Sequence, residues 1–113
     1  MSQHMDALAL ANERRLAQFR CRKSIKAMSR TDGLRAVAEL LRDPPVYVGS
    51  MRVLDVLGWP RQMGGQYATR VLRRSRARCS PVVRVMDLTE RQRLVLADEL
   101  DLMAAPADES RAA

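Results

Sequence analysis

Aromatic side chains are scarce in these 113 residues: one Trp, one Phe and two Tyr, 4% of the chain. A core must therefore be assembled from Leu, Val, Ala and Met. Histidine is scarcer, with His4 alone, and the His4-Met5 pair is given no function. Cysteine occurs at Cys21 and Cys79 only, without a Cys-x-x-Cys pair or a Cys/His cluster. A zinc site is therefore not expected, and both residues are read as ordinary thiols. There is no Walker loop and no Gly-x-Ser-x-Gly motif, so neither an enzyme nor a bound cofactor is expected. The N-terminus lacks the basic-then-apolar layout of a signal peptide, and no apolar run approaches a membrane span. The expectation is a cytoplasmic protein with no membrane partner.

Acid is missing from two long stretches, Arg14 to Arg30 and Arg61 to Arg84. The second holds seven arginines and no carboxylate. Formal net charge is +7, and eighteen of the twenty basic residues are arginine. This balance favours a polyanionic partner, nucleic acid before an acidic membrane surface. Arginine's planar fork suits phosphate better than a lysine point charge. The acids Asp87, Glu90, Asp98, Glu99 and Asp101 fall mostly on the last predicted helix. Glu90 suits its N-terminal dipole, and Asp98 to Asp101 read as a solvated acidic end.

Hydrophobic residues make up 47% of the chain, enough for one modest core. The predicted fold class is all-α, with a long N-terminal helix followed by a compact domain of about four short helices. The divisions are a basic helix over 1–32, a helical domain over 33–103 and a flexible tail over 104–113. Residues 6–30 carry a helical period. Leu10, Ala17, Cys21 and Met28 lie on one side with Ile25 beside them, and Arg15, Arg22, Lys26 and Arg30 lie opposite. That one-signed stripe is either a solvated face or a nucleic-acid contact.

"RTDG" (30–33) breaks the period, and Thr31 or Asp32 is expected to cap a helix over about 34–43. Pro44-Pro45 ends it. "VYVGS" reads as extended or turn-like. Ser50 is expected to cap a short helix over 51–58 with Val53, Val56 and Leu57 inward. A helix resumes at Gln66 and runs to Ser80-Pro81, with Ala68, Val71, Leu72 and Ser75 inward and Arg70, Arg73, Arg74 and Ala77 outward. "TERQ" forms a capping box at Thr89 for a last helix whose apolar face is Leu94, Val95, Leu96 and Leu100.

"WPRQMGGQY" (59–67) resembles the hairpin through which helix–hairpin–helix proteins hold a backbone phosphate. Gly64 and Gly65 would let the chain approach the anion and take φ > 0. Amides at the next helix N-terminus, including Gln66 and Tyr67, would point at it. Arg70, Arg73, Arg74, Arg76 and Arg78 would hold neighbouring phosphates. The bland alternative is a helical hairpin with a solvated arginine face. Trp59 reads as a plug in the core rather than a base wedge. The Tyr67 hydroxyl either reaches a phosphate or belongs to a partly buried helix residue.

The segments "SMRVLDVLGWPRQMGGQYATRVL" (50–72) and "RVMDLTERQRLVL" (84–96) resemble the actinobacterial integration host factor family. Met51, Arg52, Val53, Leu57, Gly64 and Ala68 fit its first motif. Arg84, Leu88, Arg91, Gln92 and Arg93 fit its second. Gly65 replaces the family's lysine, and its arginine cluster is thinned to Arg84. The resemblance implies a helix–two-turns–helix fold and a nucleoid-associated, architectural, monomeric binder of double-stranded DNA. It implies DNA bending, help to a site-specific recombinase in recombination or phage integration, and backbone contacts from Arg84, Arg91 and Arg93. An RNA- or ribosome-binding protein and a helical protein-interaction module are the alternatives.

Overall fold

The computed structural model describes residues 3–105, with side chains from residue 6 onward. The chain is all-α. Its helices are α1 (Gln3–Ala27), α2 (Arg30–Arg42), α3 (Val46–Gly49), α4 (Val53–Leu57), α5 (Gly65–Arg74) and α6 (Glu90–Ala104). A 3₁₀ turn spans Val85–Asp87. Among the described residues there is no strand, only an isolated antiparallel bridge between Arg52 and Arg84. The last eight residues, and with them most of the expected flexible tail, lie outside the described residues.

Helix α1 projects. No described residue in it before Ile25 is buried, and Leu8, Leu10, Leu16 and Phe19 are each more than half exposed. Leu10 therefore does not join the core as its spacing predicts. Ala17, Cys21 and Met28 are half-buried, so the expected apolar side is real only over the second half of the helix.

The α1–α2 corner differs from its reading. Ser29, not Thr31 or Asp32, is the N-cap, and its hydroxyl accepts from the Asp32 N–H at 3.1 Å. Gly33 consequently lies inside the first turn of α2. A Cβ there would stand 3.2 Å from Pro60 Cβ and 3.3 Å from the Ile25 carbonyl oxygen. The glycine serves a close approach of three segments rather than a break.

Helices α2 and α6 form the most extensive helix–helix contact. Leu34, Val37, Ala38 and Leu41 from α2 are fully buried, as are Leu96 and Ala97 from α6. Leu94 is 39% exposed, so the inward face of α6 is rotated from the expected one and uses Ala97 and Ala104. The Thr89–Gln92 capping box forms in both directions.

Three other expectations change. "VYVG" is a short helix following Pro45, because proline is well suited to a helix start. Ser50 ends that helix, and α4 starts from Arg52 without a side-chain cap. Helix α5 stops at Arg74, six residues before Ser80. There Ser75 turns inward and its hydroxyl donates to Glu99 at 3.0 Å. The turn carries Ala77 into the core at 3% exposure, and Arg78 adopts φ 53°. A helix continued to Ser80 would have left Ala77 outside.

Candidate nucleic-acid interface

A cleft separates α1 from the α4–α5 hairpin. Arg15, Phe19 and Arg22 line one side; Trp59, Gly64 and Gly65 line the other. Arg15 and Arg22 of the expected stripe thus face the glycine turn across one cleft, whereas Lys26 does not line it and Arg30 begins α2. Gln18 sets the angle of α1, its side-chain amide donating to the Tyr47 carbonyl at 2.7 Å. Arg61 fixes the other side: its Nε donates to the Lys26 carbonyl at 3.0 Å, near the C-terminus of α1.

The turn's geometry differs from the expected one. Gly64 is the N-cap of α5 with φ −62° and ψ 161°, and no described glycine has positive φ. The left-handed residue of the turn is Gln62, at φ 63°. What the glycines provide is space: nothing lies within 4 Å of a Cβ built on Gly64 or Gly65. No side chain caps α5. The first amides of a helix have no intrahelical acceptor, so those of Gly65, Gln66 and Tyr67 face an open approach at the positive end of the dipole.

Tyr67 joins the walls on the outside. The Arg30 guanidinium donates to its hydroxyl at 3.3 Å and lies 5.9 Å from the ring centroid, with Arg70 at 5.5 Å. Two cations thus gather at one aromatic ring, which is attractive to both. Trp59 is 5% exposed and belongs to the core.

Arg15, Arg22, Lys26, Arg70, Arg73, Arg74, Arg76, Arg78, Arg84 and Arg91 are exposed. Among the described residues, Arg42 and Arg52 alone form ion pairs, Arg52 with Asp55 on the cleft wall at 3.1 Å. Arg93 departs from its expected role. It is half-buried, and its Nη1 donates to the Leu41 and Arg42 carbonyls at 3.0 and 3.1 Å. It closes the C-terminus of α2, where a cation also suits the dipole. Three acids of α6 also have partners, although Asp98 stays largely exposed as expected. Asp98 and Asp101 accept from Arg42, and Glu99 accepts from Ser75 and from the Arg76 N–H.

The free thiols are half-buried. Burial pushes both Cys21 and Cys79 above the ordinary thiol range, partly offset at Cys21 by a hydrogen bond to Tyr47. Raised thiols are poor nucleophiles at neutral pH.

Sequence reasoning missed Gln18, Phe19 and Arg61. The signal for Phe19 was an apolar residue placed among the arginines of α1, off the expected core side. Gln18 and Arg61 act through backbone carbonyls distant in sequence, which no spacing announces. Compared with protein families, curated proteins and solved structures, the chain finds no match in any of the three.

Proposed function

We propose that this protein is an architectural binder of double-stranded DNA, gripping the phosphate backbone with little base-specific contact, as its resemblance to actinobacterial integration host factor implies. One observation carries the reading. Arg15 and Arg22 share a cleft with the uncapped N-terminus of α5, and neither has a carboxylate partner among the described residues. Cations held without counter-charges repel one another, and a polyanion relieves that repulsion. The open amides of Gly65, Gln66 and Tyr67 would receive one phosphate, while Arg15, Arg22, Arg70, Arg73 and Arg74 would hold others. Such contacts set register and orientation but carry no base information.

The test is binding to random duplex DNA across a salt series. With ~5–6 arginine–phosphate contacts, log K against log salt should slope by roughly −4.5 to −5.5. A flat slope, or no binding at low salt, would refute the reading. Tighter binding to duplex RNA in competition would replace it with RNA recognition.

A further inference from the structure

We infer that Phe19 is a wedge that enters a base step of the bound duplex and bends it; this deepens the DNA-binding reading and rests on it. Phe19 is the chain's one phenylalanine. It is 61% exposed at the rim of a cleft that also has apolar lining, including Leu54, Trp59 and Met63. The ring thus stays largely in solvent beside apolar surface of its own chain.

Its neighbours define what it meets. Arg15 lies four residues before it and Arg22 three after, so all three share one face of α1. At ~1.5 Å per residue the two arginines are about 10.5 Å apart along the helix axis, with the ring between them. That spacing lets each guanidinium reach a phosphate strand while the ring sits over a minor groove ~6 Å wide. A protein partner would have to supply an apolar pocket with anions on both sides. A duplex supplies that combination everywhere: stacked apolar bases inside, phosphates outside.

Trp59, the other aromatic residue lining this cleft, is buried. Phe19 is therefore the aromatic ring available to insert there. Apolar wedges partly unstack a step and kink the duplex by roughly 20–90°. The kink would fold the flanking DNA toward the basic walls of α1 and α5. Pyrimidine–purine steps unstack most readily, so Phe19 would give the protein a preference for them without any hydrogen bond to a base.

The experiment uses the whole protein and a duplex of ~30 bp, carrying 2-aminopurine at a central TA step and a fluorophore pair at its ends. The parent protein should raise 2-aminopurine fluorescence and shorten the end-to-end distance. Phe19→Ala should lose both signals and bind roughly ten-fold more weakly, with the salt slope unchanged. Phe19→Leu, still a wedge, should restore much of both. Melting temperature should not move, because the ring is exposed. Binding without unstacking by the parent, or a Phe19→Ala variant that unstacks and bends like it, overturns the wedge and leaves DNA binding standing. A parent that does not bind duplex DNA overturns both. If Phe19→Ala leaves bending intact but changes the sedimentation of the DNA-free protein, the wedge is overturned and the face belongs to self-association.

Discussion

Around α2 and α6 the charges answer one another, whereas along α1 and α5 they stand alone. Arg42 reaches Glu39 on its own helix and Asp98 and Asp101 on α6. These carboxylates hold its guanidinium protonated well above the usual range, with Asp101 the largest cause. Arg93 closes α2, and Glu99 holds the Ser75 turn. Arg42, Arg93 and Glu99 thus each have a structural partner, while Arg35 and Arg91 on the same helices stay exposed. On the other side, Arg15, Arg22, Arg70, Arg73 and Arg74 are exposed and unpaired among the described residues. A charge that stabilises the fold is placed beside its opposite. Charges that leave their opposites to a ligand weaken the free protein slightly through repulsion. The difference separates residues that hold the protein from those proposed to hold DNA.

The strongest way to break this contrast is to reverse the cleft. Arg15→Glu with Arg22→Glu should lower duplex affinity at ~0.1 M salt by more than about 100-fold and make the salt slope shallower by ~2. Melting temperature should hold or rise slightly, since no ion pair is lost. If affinity is unchanged, α1 is not part of the interface.

A smaller effect should follow at the helix N-terminus. Gly64→Asp fits the observed φ and ψ, and its carboxylate would accept from the first α5 amides. Stability should rise by a few tenths of a kcal/mol. DNA affinity should fall roughly ten-fold because the amides are occupied and a negative charge stands in the approach. Undiminished binding would remove the amide site while sparing the arginines. The glycine's value is thus open space and not a left-handed turn, which Gln62 supplies.

The smallest effect belongs to the paired side. Asp98 and Glu39 are about three-quarters exposed, so their pairs with Arg42 contribute little; Asp101, at 38%, contributes more. Arg42→Ala should cost about 1 kcal/mol, lowering the thermal midpoint by ~4–8 °C. The salt slope of DNA binding should not change. A shallower slope would place Arg42 in the interface and erase the distinction between the two sides.

How much was legible follows from where the determining interactions lie. The all-α class, the Thr89–Gln92 box and the burial of Val53, Val56, Leu57 and Trp59 were readable, because each depends on neighbours in sequence or on the need to remove apolar surface from water. The end of α5 was not. Its stop at Ser75 depends on Glu99, twenty-four residues away. The role of Arg93 was hidden for the same reason: its partners are carbonyls fifty-one and fifty-two residues back.

By itself, then, the sequence determined that the protein is helical, strongly basic and divided into acid-free and acid-bearing stretches. Periodicity, caps and charge are local quantities, so one chain suffices to read them. Tertiary structure alone decided that Arg15 and Arg22 of α1 and the Gly64-Gly65 turn face each other across one cleft. It also decided that Phe19 stands at the cleft's rim while Trp59 is buried, and that Arg42 and Arg93 serve the fold. Those outcomes depend on the angle at which α1 leaves the body. Gln18 at the Tyr47 carbonyl, Arg61 at the Lys26 carbonyl and the close approach at Gly33 set that angle. Each is a contact between segments far apart in the chain, formed only once the core has brought them together.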